Sequence, residues 1–166
     1  LIGNGLILPS GPLRENLNAL KNADIILING KKDSDFENKV LNINKKLDIF
    51  YSSYKPENIA KFRNKKLLAL AGIGNPNNFF RLLKENNLEV EKELIFPDHY
   101  QFTKNEIQEI VDESENKDYQ IIMTEKDYFK IKEFKIDKLG YLKVSLKIDD
   151  SERFIKTIEQ IYAKNY

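Results

Sequence analysis

Runs of consecutive apolar residues alternate along the chain with stretches whose apolar positions recur every three or four residues. Runs of that kind fit strands buried on both faces, and the three-to-four spacing fits helices laid against them. Together they predict an α/β fold with a largely parallel sheet. Leu13, Leu17 and Leu20 keep helical spacing behind Pro12, a residue preformed for a first turn. Residues 24–29 (DIILIN) read as a central strand. From 31 to 64 the sequence is Lys/Asn-rich and weakly periodic, which predicts a linker; within it 47–54 (LDIFYSSY) reads as an exposed strand or hairpin arm. A domain boundary is expected at 62–66.

Beyond that boundary the pattern sharpens. Residues 66–71 (KLLALA) predict a strand, Gly72-Ile73-Gly74 a turn, and Asn75-Pro76 the start of a helix carrying Phe79, Phe80, Leu82 and Leu83. A strand over 89–96 follows, then a capping box at Thr103 and Glu106 before Ile107, Ile110 and Val111. Residues 119–123 (YQIIM) form another buried run, leading into Thr124-Glu125-Lys126-Asp127. Residues 141–148 alternate as one half-buried strand. Residues 151–162 predict a closing amphipathic helix with Phe154, Ile155, Ile158, Ile161 and Tyr162 on one face.

Composition narrows the function classes. The 166 residues suffice for one ordinary domain or two small ones. Lys+Arg 27 against Asp+Glu 26, interspersed, leaves no nucleic-acid footprint. With no cysteine and one histidine, disulfides, thiolate metal sites and histidine-rich metal sites are excluded. No apolar run approaches the roughly 20 residues of a membrane span, and residues 1–9 lack the basic start of a signal peptide. The chain opens on Leu1 in sequence that already reads as structured, so further residues upstream are expected.

Three loops fall at the carboxyl ends of predicted strands, where open α/β sheets gather ligands: 72–76, 97–102 and 124–128. Each reads in two ways. Gly72 to Pro76, with Gly74 and Asn75, is either a plain tight turn or a cradle presenting backbone N–H groups to a phosphate. Thr124 to Asp127 is either a capped, solvated helix start or a place where Lys126 meets a phosphate. Further upstream, Arg14-Glu15 is either a surface charge pair or a guanidinium fork on a phosphate beside its partner. The single histidine, His99, lies in 95–103 (IFPDHYQFT) between a strand end and a helix start. Imidazole suits proton transfer near neutral pH, but no nucleophile in the chain is an evident partner for it.

The order of the motifs says more than any one of them. GNGLILPSGPLRE (3–15), ADIILING (23–30), LAGIGNPNNFF (70–80), FPDHYQFT (96–103) and MTEKD (123–127) together closely resemble the tetraacyldisaccharide 4′-kinases of lipid A biosynthesis, over essentially the whole chain but only the carboxyl-terminal half or so of that family. The resemblance implies a P-loop-kinase-like α/β fold. Residues 1–46 would end the nucleotide-binding core domain, 47–65 would be linker strands, and 66–166 a smaller carboxyl-terminal α/β domain. It implies transfer of the γ-phosphate of ATP, with Mg²⁺, to the 4′-hydroxyl of a lipid disaccharide phosphate at the cytoplasmic face of the bacterial inner membrane. Membrane contact would be made by an amino-terminal segment not present here. His99 matches the family histidine that helps activate the sugar hydroxyl together with an acidic residue of the core domain. Arg14 and Glu15 match substrate-site residues; Asp98 would steady the His99 loop, with Gly74, Asn75 and Lys126 in support.

The departures from the family are as informative. The chain has no GxxxxGK[ST] and no Asp-Asp-Gly element. Phosphoryl transfer relies on a P-loop lysine and Mg²⁺ to position and neutralise the phosphates, so no kinase activity is expected from these 166 residues alone. The rival reading is a non-catalytic α/β module that binds a phosphorylated ligand at 72–75 and Lys126.

Overall fold

The structure, a computed structural model, describes residue 3 and residues 6–165; Leu1, Ile2, Asn4, Gly5 and Tyr166 lie outside the described residues, and with them part of the glycine-rich opening motif. In chain order the elements are a 3₁₀ helix at Leu17–Asn22, β1 (Ile25–Asn29), α1 (Ser34–Ile43), β2 (Asp48–Pro56), a 3₁₀ turn at Ile59–Phe62, β3 (Lys66–Ala71), α2 (Pro76–Glu85), β4 (Glu89–Ile95), α3 (Lys104–Asn116), β5 (Gln120–Thr124), α4 (Glu125–Ile131), a 3₁₀ turn at Lys132–Phe134, β6 (Leu139–Leu142), β7 (Val144–Ile148) and α5 (Ser151–Asn165). Contacts divide them into two compact units, Leu1–Lys55 with Leu146–Tyr166, and Pro56–Ser145. The division carries the last helix with the amino-terminal segment, whereas the sequence reading runs a second domain from 66 to 166.

The second unit is a sheet of order β4-β3-β5-β6 in which every adjacent pair is parallel. β3 lies inside that order, and its five residues after Lys66 are buried, as its unbroken apolar run requires. Alternation along β3 feeds two cores. Leu67, Ala69 and Ala71 face Phe79, Phe80 and Leu83 of α2, while Leu68 and Leu70 face Ile107 and Val111 of α3 and Ile131 of α4. The result is a three-layer α/β/α arrangement. Pro76 occupies the first turn of α2 as expected, but Asn75 at the N-cap makes no side-chain capping bond. The α3 capping box is present in full, Thr103 and Glu106 bonding reciprocally.

The first unit holds a three-stranded sheet of order β1-β2-β7, with β1 and β2 parallel from Ile25↔Asp48 to Asn29↔Ser52. Several expectations are corrected here. β1 is not central: it ends the strand order among the described residues, and Leu27 on it is exposed. The helix expected behind Pro12 is absent, because Leu13 is bound to the segment before it. Its N–H donates to the Leu6 carbonyl (3.1 Å) and its carbonyl accepts from the Leu8 N–H (2.9 Å), so helical turns begin only at Leu17. The region 31–64 is no plain linker. Asp33 caps α1 through the Phe36 N–H, Val40 of that helix is buried, and β2 pairs in parallel rather than as a hairpin arm.

The expected strand 141–148 is two strands in two sheets, parted at Lys143. There the Lys143 N–H donates to Asn58 Oδ1 (2.8 Å) and its carbonyl accepts from the Glu57 N–H (2.8 Å), diverting the chain. On α5, Phe154 packs edge-on against Phe50 of β2 at 5.0 Å and Arg153 covers the Phe50 ring at 4.2 Å. Ile155, Ile158 and Tyr162 of the same helix are exposed.

One packing constraint in the second unit is open to test. A Cβ at Gly140 of β6 would lie 2.8 Å from the Phe62 ring and 3.0 Å from the Ile121 carbonyl oxygen. Gly140→Ala should therefore cost about 1–3 kcal/mol by overpacking, read as a lowered midpoint in urea unfolding.

Candidate functional site

The strand order of the second unit reverses between β3 and β5, with α2 on one face of the sheet and α3 on the other. In open α/β sheets the crevice beyond the carboxyl ends of such strands is where ligands bind. The loops after β3, β4 and β5 reach this end of the sheet.

Asp127, in the first turn of α4, anchors two of them. It has no exposed surface. Its carboxylate accepts the Gly72 N–H (2.8 Å), the Thr124 hydroxyl (2.7 Å) and the Lys130 ammonium (2.9 Å). A carboxylate kept from water needs partners of this kind, and the arrangement ties the end of β3 to the start of α4. Gly72 eases the approach: a Cβ there would stand 3.3 Å from Asp127 Oδ1, a tight contact, and 3.5 Å from Phe96 and Phe102, an ordinary one. Thr124 caps the helix through the Asp127 N–H. The capped-helix reading of 124–127 thus holds for Thr124, while Asp127 itself is not solvated.

The loop after β4 is fixed by its aromatic residues and projects between them. Phe96, Tyr100 and Phe102 pack with ring centroids 4.9–5.1 Å apart, and the Tyr100 hydroxyl donates to Glu106 of the capping box. The Tyr100 N–H closes the turn on the Pro97 carbonyl at 3.1 Å. Asp98 and His99 form its tip. His99 sits in the left-handed region at φ 61°, uncommon outside glycine, with its imidazole largely in solvent. Its N–H donates to Asp98 Oδ1 at 3.0 Å, and Nε2 stands 3.7 Å from Asp98 Oδ2.

Lys126 reaches this tip from α4, placing its ammonium 3.0 Å from Asp98 Oδ1. That hydrogen bond is the leading cause holding the Asp98 carboxyl below the usual carboxylate range. Gly74 stands on the other side, where a Cβ would be 3.4 Å from Asp98 Oδ2. Gly74, Asp98, His99 and Lys126, far apart in sequence, are therefore brought together. Asn75 adjoins them without a capping bond. Arg14 and Glu15 are exposed on a bend of the first unit.

The site is a projecting tip, not an enclosed pocket. One depression, lined by Leu94, Phe96, Glu106, Glu109, Ile110 and Glu113, lies along β4 and α3; another, at Lys66, Glu89 and Gln120, lies at the opposite, amino ends of the strands. Neither is lined by Asp98, His99 or Lys126. Among the described residues no group of three or more His, Asp or Glu side chains is placed to hold a metal ion, and the sequence has no GxxxxGK[ST] to cradle a triphosphate. Sequence reasoning gave Asp127 only a helix-capping role. The available signal was its place three residues after Thr124 at the end of a buried strand, where a carboxylate turns inward.

The sequence pattern of the family described as "LpxK: Tetraacyldisaccharide-1-P 4'-kinase" matches residues 1–163. A tetraacyldisaccharide 4'-kinase from Pelagibacter ubique (strain HTCC1062) is 37% identical over 167 residues, covering 99% of this chain and 53% of the relative. One from Francisella tularensis subsp. novicida (strain U112) is 32% identical over 157 residues, covering 90% and 47%. The chain thus spans about half the length of the curated relatives it matches. The crystal structure of "apo" form LpxK from Aquifex aeolicus in complex with ATP superposes with a TM-score of 0.60 at 20% identity, over 95% of this chain and 49% of that one; it supports the P-loop-kinase-like α/β fold.

Two outcomes follow from the geometry. Asp127→Ala strands the buried Gly72 N–H and leaves the Lys130 ammonium without its carboxylate, and should cost about 2–4 kcal/mol in equilibrium unfolding. The second concerns pH. A lowered Asp98 pKa means that the Lys126 tie is intact above the ordinary aspartate pKa and is lost only as pH falls through the lowered one. In a carboxyl-carbon NMR titration, Asp98 should titrate below the ordinary range and move back up in Lys126→Met; an unmoved midpoint would mean that the pair does not form in solution.

Proposed function

The chain belongs to the tetraacyldisaccharide 4′-kinase family, and from that premise we propose that it is the carboxyl-terminal part of an enzyme that moves the γ-phosphate of ATP to the 4′-hydroxyl of a tetraacyldisaccharide 1-phosphate. The observation that carries the reading is the presentation of His99. It is the chain's one imidazole, it is largely exposed, and it is held in a left-handed turn beside a carboxylate. Backbone placed in a sparsely populated region at a projecting tip is a common property of functional loops.

In this reading the imidazole takes part in removing the proton of the sugar hydroxyl as that oxygen becomes the nucleophile. Asp98 Oδ2 stands 3.7 Å from its Nε2. An acidic residue in a part of the enzyme that this chain does not span acts with His99. Arg14 and Glu15 contact the substrate's sugar-phosphate end. The ATP and Mg²⁺ sites belong to that other part too, which the greater length of the relatives supports, so these 166 residues, which hold no P-loop sequence, are inactive alone. For the domains, we take 1–46 as the end of the nucleotide-binding core, 47–65 as linker strands and 66–166 as the smaller α/β domain, with α5 at the end of that last stretch returning to the amino-terminal unit. Among the described residues no helix is long and apolar enough to cross a membrane. Attachment at the cytoplasmic face of the inner membrane is assigned to an amino-terminal segment outside this chain.

In the full-length enzyme, His99→Ala should lower turnover by about 10²-fold or more, the scale of general acid–base help, as measured with ATP and the lipid disaccharide. Unchanged turnover would remove His99 from the reaction; a full-length protein with no turnover at all would instead favour the rival, a non-catalytic module for a phosphorylated ligand.

A further inference from the structure

We propose that Lys126 is a positioning residue for His99, clamping Asp98 and with it the left-handed turn that presents the imidazole. The inference rests on the reading of His99 as a participant in phosphoryl transfer. It assigns Lys126 a role distinct from the phosphate contact that its place at a strand end first suggests.

The Asp98 carboxylate is shared among several neighbours. Oδ1 accepts both the His99 N–H and the Lys126 ammonium, each at 3.0 Å, while Oδ2 faces the imidazole at 3.7 Å and the Gly74 backbone. A carboxylate on a loop tip would ordinarily rotate freely in water. Here an ammonium 28 residues further along the chain fixes one oxygen, and so turns the other toward the ring. The tie crosses from the loop after β4 to α4, which follows β5, and these strands are not neighbours, since β3 lies between them. It therefore joins loops that the sheet itself does not join.

The ammonium comes from a fixed base. Lys126 precedes Asp127, whose buried carboxylate is bound to Gly72, Thr124 and Lys130. The Gly72 end of that anchor leads into Ile73 and Gly74, so both flanks of Asp98 originate from residues that Asp127 holds. The Phe96, Tyr100 and Phe102 rings secure the loop stem, but they do not determine which way Asp98 points.

The pair is exposed, with 46% of the Lys126 and 42% of the Asp98 side chain in solvent. Exposed ion pairs contribute little to global stability. A purely structural Lys126 would thus be nearly dispensable, whereas a clamp would be felt in turnover alone. A direct phosphate ligand would be felt mainly in KM.

The test has two readouts. In the full-length enzyme, Lys126→Met should lower kcat by roughly 10-fold or more, up to the about 10²-fold that a misplacement of about 1 Å in a catalytic group can cost, with KM for both substrates and the melting temperature essentially unchanged. Lys126→Arg should keep most of the activity. Lys126→Met combined with Asp98→Asn should be no worse than Asp98→Asn alone, because the lysine acts through that carboxylate. In the 166-residue chain, the single histidine gives one imidazole signal by NMR, which should shift in Lys126→Met and stay in place in Lys126→Arg. Wild-type kcat in Lys126→Met while His99→Ala is impaired would overturn the clamp, as would a rise in KM alone or losses that multiply in the double variant. Normal turnover in His99→Ala would instead sink the reading of His99, and the NMR shift separates the two failures by reporting the clamp without catalysis.

Discussion

A carboxylate with no exposed surface has to find its hydrogen bonds within the protein, and at Asp127 this constraint organises one end of the second unit. A backbone N–H, a hydroxyl and an ammonium converge on it from the end of β3, the end of β5 and the next turn of α4. Their removal from water is compensated only while all of them stay in place, so the two loops are coupled in position. Gly72 leaves room for the approach, Thr124 supplies both a cap and a donor, and Lys126 inherits a defined starting point. The exposed tip at Asp98 and His99 is thus specified by a charge that water never meets.

Much of the second unit was legible in the sequence because its local and tertiary signals agree. KLLALA is apolar at every position after its lysine, and the structure buries it on both faces. The Thr103–Glu106 capping box needs only four residues to declare itself, and it is present. The misreadings fall where a backbone group is claimed by a distant partner. Nothing in 141–148 announces that Lys143 will be engaged by Glu57 and Asn58, and that engagement splits one apparent strand into two. Pro12 announces a helix start, but the Leu6 and Leu8 backbones hold Leu13 in a turn. Helix α1 was recoverable, since Asp33 is a capping residue and Phe36, Val40 and Ile43 are spaced for a helix. Its Lys/Asn-rich surface hid that spacing.

The site was legible as a set of loops and illegible as a geometry. Periodicity put 72–76, 97–102 and 124–128 at strand ends, and the motif order singled out His99. It carried no information that Lys126 would face a carboxylate rather than a phosphate, because that depends on the χ angles of two exposed side chains. Nor did it reveal the imbalance between the units. Among the described residues, the buried apolar ones of the first unit are Ile28, Val40, Leu47 and Phe50, whereas the second buries both faces of β3 and β5. Hydrophobic stabilisation scales with area removed from water, so the second unit carries the larger share of it.

The two units also differ in how the chain is threaded through them. The second is one continuous stretch, Pro56–Ser145, inserted between the two pieces of the first, Leu1–Lys55 and Leu146–Tyr166. On the ribosome the amino-terminal piece would emerge early yet lack β7 and α5, and so the Phe154 ring and the Arg153 guanidinium that cover Phe50. The inserted unit would have its whole sequence available sooner. Within this chain the inserted unit would be completed first: the His99 loop would gain its scaffold while residues 1–55 waited for their complement.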